Sequence, residues 1–195
     1  MKPCKLLIMT DTYVGLPGGS ERHLLNFLTN ISDEFQVQVI QLNPDGNPYS
    51  DQLDKSLTDK VDFKSYPITS LKSIHSFFAI LKIYFSILLF RPNLVISYHE
   101  KSDLINLLLS LCPFTSHKLV SSKRDMGLKL DGTLGDIMRR FNGRFSAITA
   151  PSNSIINMMV KKFNSKKEQS YAIPNGVDLT SYGKNLEKSD EIKLK

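Results

Sequence analysis

Short apolar runs alternate with segments of helical period along nearly the whole chain, and no other feature limits the fold so strongly. Lys5-Leu-Leu-Ile-Met-Thr10 has no polar interruption before Asp11, the pattern of a strand buried on both faces. Gln36–Leu42, Val61–Ile68 (with Pro67 at its end), Leu94–Ser97, Lys118–Ser121, Ala147–Ala150 and Tyr171–Ile173 are further strand candidates. Between them, Leu24, Phe27, Leu28 and Ile31 recur at spacings of three and four, which predicts a helix over Ser20–Ile31. Asp103–Leu111 and, more weakly, Thr133–Phe141 also read as helices, and Ser152 caps one running through Phe163. Asn43–Asp59, rich in Asn, Asp, Pro and Ser, reads as a loop with a short helix. Such alternation makes βαβ units, and hence an α/β domain with an open, mostly parallel sheet covered by helices on both faces. Ligands of these folds sit beyond the carboxyl ends of the strands.

Leu71–Phe90 is the longest hydrophobic stretch, but its uninterrupted apolar part is far short of the roughly 20 residues that span a bilayer. Lys72, His75, Lys82 and Ser86, with Ala79 between, step by three and four into one narrow stripe. A helix packed between the sheet and its neighbours is expected, ahead of an interfacial membrane helix. Cys4 and Cys112 lie far apart near apolar runs and are expected to be buried free thiols of a reducing compartment. No secretory signal precedes the first strand, so a cytoplasmic location is expected.

Charge is uneven. Residues 115–170 carry eleven Lys/Arg against four Asp/Glu, a net +7, while residues 1–114 are close to neutral. Lys123-Arg124, Arg139-Arg140, Arg144, Lys161-Lys162 and Lys166-Lys167 hold this excess, which attracts an anionic partner. Lys161, Lys162, Lys166 and Lys167 follow the apolar face Ile155, Ile156, Met159 and are the first choice for peripheral contact with the inner face of a membrane, near the cleft mouth. Nucleic acid is not expected, because no helix-turn-helix, zinc-finger spacing or interleaved aromatics occur.

Several unusual residues fall at strand ends. Gly18-Gly19-Ser20-Glu21 opens the first helix, where glycines allow close approach and the helix terminus favours a phosphate. Gln41-Leu42-Asn43 lacks the acidic residue that a dinucleotide site places at the end of its second strand. His99 follows the fourth strand and can hydrogen-bond a substrate or act as acid or base. Glu100 beside it would point the other way if the strand persisted. Arg124 and Asn175 end the fifth and last strands. No metal is expected, since His23, His75, His99 and His117 have no mutual ligand spacing. No G-x-S-x-G elbow supports serine hydrolysis.

Taken together, Lys5–Thr10, Gly18-Gly19-Ser20-Glu21-Arg22-His23, Arg91-Pro92-Asn93-Leu94-Val95-Ile96 with His99, and Ile173-Pro174-Asn175-Gly176-Val177-Asp178 resemble the N-terminal domain of family-4 ("group 1") retaining glycosyltransferases. Those enzymes have two Rossmann-like domains, the GT-B fold. Ser121-Ser122-Lys123-Arg124-Asp125 resembles the bacterial polysaccharide-type branch. The resemblance implies that residues 1–182 form the acceptor-side, Rossmann-like half and that 183–195 lead toward a C-terminal nucleotide-sugar domain. It implies that backbone N–H groups of Gly18 and Gly19, with Ser20, face the donor diphosphate and that His99 faces the reacting sugar. Arg124 and Glu100 would line the acceptor side, and Asn175 and Gly176 the interdomain floor. It further implies transfer from a nucleotide-sugar to a polysaccharide or lipid-linked glycan acceptor with retention, without a cofactor, and a chain inactive on its own. The alternative is a non-catalytic Rossmann-like module that binds a nucleotide or a partner protein.

Overall fold

The computed structural model describes residues 3–14, 18–42, 55–124 and 132–176. The expected linker 183–195 and most of the expected loop Asn43–Asp59 lie outside them. Seven strands form one sheet: β1 (Cys4–Thr10), β2 (Phe35–Gln41), β3 (Val61–Ser65), β4 (Leu94–Tyr98), β5 (Lys118–Ser122), β6 (Ala147–Ala150) and β7 (Ser170–Ala172). Their order is β3-β2-β1-β4-β5-β6-β7, and every pairing is parallel. Each was foreseen from its apolar run, with ends within about three residues.

Both faces of β1 are buried, as its unbroken run requires. Leu7 and Met9 join Ile40, Val95 and residues of α3 (Ile74–Phe90) and α4 (Glu100–Leu109) in one cluster. Leu6 and Ile8 join Val37, Val39, Leu24 and Leu28 of α1 (Gly19–Thr29) and Leu57 of α2 (Lys55–Lys60) on the other face. A third cluster packs Leu119 and Ile148 against Met138 of α5 (Thr133–Phe141) and Ile155, Ile156 and Met159 of α6 (Asn153–Phe163). Each fully buried Leu or Ile contributes roughly 1.5–3 kcal/mol relative to exposure. Ser152 caps α6 as expected, its hydroxyl accepting from Ile155 N–H.

Three expectations fail. Cys4 is exposed and Cys112 half-buried, because Cys4 opens β1 before its buried run begins. In α3, Ala79 and Ser86 face the sheet while His75 and Lys82, like Lys72 before the helix, are exposed, so the expected polar stripe is split between two environments. Ser86 Oγ–H donates to Gln38 Oε1 at 3.0 Å, which satisfies the hydroxyl on the buried side of the helix. Finally, Lys123 is not part of a solvated basic patch. Its ammonium is buried and pairs with Asp103, whose carboxylate is fully buried in α4 and also accepts from Ser97 and Ser121 hydroxyls.

This ion pair fastens α4 to the ends of β4 and β5. Asp103→Ala should destabilise the protein by about 3–5 kcal/mol in urea unfolding, because it leaves Lys123 buried and uncompensated. Asp103→Leu combined with Lys123→Met should recover most of that loss. A single variant near wild-type stability would contradict the buried pairing.

Candidate functional site

The sheet order reverses between β1 and β4. The chain leaves β1 toward β2 on one side and returns to β4 on the other, with Thr10 opposite Tyr98 in register. The flanking helices α1 and α3 pack on opposite faces of β1 there, the arrangement in which folds of this kind open a ligand crevice at the carboxyl ends. Asp11 follows β1 and His99 follows β4, so both stand at its edge.

Asp11 has a role that its position after a strand did not announce. Its carboxylate accepts from the backbone N–H of Lys101 at 3.0 Å and of Ser102 at 2.7 Å, the first turn of α4. It does the work of a helix cap from another strand, satisfying two orphan donors of α4. Burial raises its pKa above the usual carboxylate value, opposed by the charge attraction of His99 and by these N–H groups. The cap holds the sharp strand-to-helix turn at His99, whose φ of 75° lies in a region few non-glycine residues adopt. The strand ends at Tyr98, so Glu100 is not a strand residue pointing away from His99. It is the buried first residue of α4.

The turn aims the imidazole at α1. His99 Nε2 lies 3.0 Å from Ser20 Oγ. The Ser20 hydroxyl donates its one proton to Glu21 Oε2 at 2.8 Å, so it accepts from His99 Nε2–H. His99 Nδ1 is buried with no hydrogen-bond partner among the described residues, an orphan of the kind that collects at functional sites. Gly18 and Gly19 complete this terminus, but neither has a positive φ. A Cβ at Gly18 would meet the Glu21 carboxylate, whereas one at Gly19 would enter open space. What the glycines provide is access to the terminus, not a special backbone geometry.

One turn along the same face of α1, His23 meets Arg124 at the end of β5. The Arg124 guanidinium donates to His23 Nε2 at 2.9 Å, Ser122 Oγ at 2.9 Å and Asn175 Oδ1 at 2.8 Å, and lies 5.5 Å over the Tyr98 ring. All of these described acceptors are neutral, and burial lowers the arginine's pKa. A half-buried cation whose described partners are all neutral favours an anion at its open side. His23 keeps Nδ1–H, 3.4 Å from the Tyr98 hydroxyl. Burial, then the neighbouring Arg124 charge, pushes its pKa down from 6.5 to about 4. Desolvation raises the Tyr98 phenol above its usual value.

Ser20, His99, Arg124 and Asn175 therefore converge, with Gly18, Gly19 and Glu100 adjoining them in the chain. Gly176 is exposed beside Asn175. Asp11, His23 and Tyr98 join them unforeseen, since only the fold brings them there. Arg22-His23 after the glycines was the available signal for His23. Lys161, Lys162, Lys166 and Lys167 are exposed but do not lie at the cleft mouth. α6 starts at the carboxyl end of β6 and runs back, so its last turn is at the opposite end of the sheet. Among the described residues, no group of three or more His, Cys, Asp or Glu could hold a metal ion.

The model of Glycosyltransferase Family 4 matches residues 17–181. The chain belongs to that family. No curated protein sequence matches it. Its fold is similar to HepE from Anabaena, solved with UDP and glucose, at a TM-score of 0.68 and 17% identity over 91% of this chain and 46% of that one. It is similar to the lipopolysaccharide outer core galactosyltransferase WaaB at a TM-score of 0.65 and 13% identity, over 89% and 46% of the two chains. A glycosyltransferase from Rickettsia africae matches at 0.70 and 16% identity, over 99% and 50%. The family-4 chain thus spans about half the length of these structures, and its sheet is the Rossmann-like half of a GT-B fold.

The His23–Arg124 contact makes a pH prediction. The folded pKa of about 4 lies below the unfolded 6.5, so this contribution to stability is present above about pH 6.5 and is lost as pH falls toward 4. NMR titration should place the His23 imidazole near pKa 4, Arg124→Gln should raise it, and His23→Gln should flatten that part of the stability profile. A His23 pKa near 6.5 would contradict the geometry.

Proposed function

We propose that this chain is the acceptor-side half of a retaining glycosyltransferase that moves a sugar from a nucleotide-sugar to a glycan or lipid-linked acceptor. The observation that carries the reading is His99, set by a strained turn at the switch point with Nε2 3.0 Å from Ser20 at the glycine-led terminus of α1. The family match supports the reaction class, and UDP and glucose in HepE support a nucleotide-sugar.

On this reading the N-terminus of α1, reached over Gly18 and Gly19 once the Glu21 carboxylate beside Gly18 swings away, takes the donor diphosphate, where first-turn N–H groups and the helix dipole favour negative charge. Departure of the nucleoside diphosphate leaves an oxocarbenium-like sugar. His99 hydrogen-bonds that sugar and orients it, and no side chain of this chain is assigned as a covalent nucleophile. Catalysis is then chiefly electrostatic, donors being fixed in place before charge develops. Arg124, with its neutral partners, receives an anionic group of a substrate, and Asn175, with Gly176 beside it, shapes the floor against the second half. Transfer requires that second, nucleotide-sugar-binding half, so the chain alone does not turn over.

In a protein carrying both halves, His99→Ala should lower kcat by about 10²-fold or more, with little change in Tm. Wild-type turnover would return His99 to a purely structural role. Gly19→Val should leave Tm nearly unchanged, because the added side chain enters open space, yet raise KM for the nucleotide-sugar by blocking close approach. Unchanged donor kinetics in folded protein would remove the diphosphate from this terminus.

A further inference from the structure

α3 is mostly apolar, yet among the described residues it is covered on one side only. Ser76, Ala79, Ile83, Ser86 and Ile87 face the sheet. On the outer side Ile74, Phe77, Phe78, Leu81, Phe85 and Leu89 are exposed, Leu89 by 83%. The Tyr84 hydroxyl donates to the Pro113 carbonyl at 2.7 Å, which ties this helix to the loop after α4. That loop continues the surface with Leu111 and Phe114, the latter 90% exposed at a φ of 65°. A contiguous apolar surface of this extent on a soluble fold marks an interaction site.

The charges around it select the partner. Between Asp62 and Glu100 the sequence has no acidic residue and four basic ones, Lys64, Lys72, Lys82 and Arg91. Lys72, Lys82 and Arg91 are exposed, and none forms a salt bridge among the described residues. A second copy of the chain would bring identical cations together with no acid to answer them, which is costly. Anionic lipid answers both features, taking the apolar side chains at the headgroup boundary and the cations at the phosphates. We propose that the outer face of α3, with Leu111 and Phe114, seats this protein on an anionic bilayer surface. At 1.5 Å per residue the helix lays down a contact of about 25 Å, running from the cleft end of the sheet to the opposite end. No described helix is long and apolar enough to cross a membrane, so the contact is peripheral. The surface is separate from the cleft, so its failure would leave the sugar-transfer reading standing.

Vesicle co-sedimentation tests this, using the full chain with neutral phosphatidylcholine vesicles and with vesicles containing about one third phosphatidylglycerol. Binding should need the anionic lipid and weaken about tenfold or more in high salt. Phe77→Ser/Phe85→Ser/Leu89→Ser should keep the wild-type Tm, since all three side chains are exposed, and lose about tenfold or more in binding. A Lys161→Glu/Lys162→Glu/Lys166→Glu/Lys167→Glu variant should bind nearly as wild type does. No binding at low salt, binding unaltered in the α3 variant, or loss confined to the four-lysine variant would overturn the proposal. So would a dimer in light scattering that the α3 variant abolishes, because the face would then belong to a second copy.

Discussion

Two hydrogen bonds from the first turn of α4 to the Asp11 carboxylate hold the crevice together. They join the carboxyl end of β1 to the helix that follows β4, across the one place where the sheet order reverses. Without a cap supplied from β1, the opening N–H groups of α4 would need partners of their own. The turn at His99 would then have little to offset its left-handed backbone. The Ser102 hydroxyl adds a bond to the His99 carbonyl at 3.0 Å, and Asp103 N–H one to the same oxygen at 3.1 Å. The catalytic candidate is thus placed by its backbone, while its side chain stays free to face α1.

The same economy separates two neighbouring cations. Lys123 is consumed inside, paired with Asp103 beneath the ends of β4 and β5. Arg124, one residue on, has only neutral partners among the described residues and directs its charge at the cleft. Alternation along an extended chain is enough to send one inward and the next outward. α1 serves both centres from a single face, since Ser20 and His23 stand three residues apart and meet His99 and Arg124 respectively.

Reading from sequence reached the strands, their parallel pairing and the places where ligands gather, because a two-sided buried strand such as Leu6–Thr10 has few other interpretations. It found His99 and Arg124 because they follow strand ends, and Ser20 because it opens a helix behind two glycines. It missed Asp11, whose partners are about 90 positions away, and the neutral, Arg124-bound state of His23, because neither local period nor composition encodes a cap supplied from another strand. It misjudged α3 for a related reason. Small or hydroxylated residues such as Ala79 and Ser86 suit a packed interface as well as a solvated one, so spacing alone could not tell which side of the helix met the sheet.

The proposed function puts sugar transfer in the switch-point crevice between β1 and β4. A crystal structure of a protein carrying both halves, with its nucleotide-sugar bound, tests it most directly. The diphosphate should lie over Gly18 and Gly19 at the start of α1, and the sugar within about 3.5 Å of the His99 ring. A nucleotide-sugar bound with neither the α1 terminus nor His99 lining its site would place the chemistry elsewhere in the molecule.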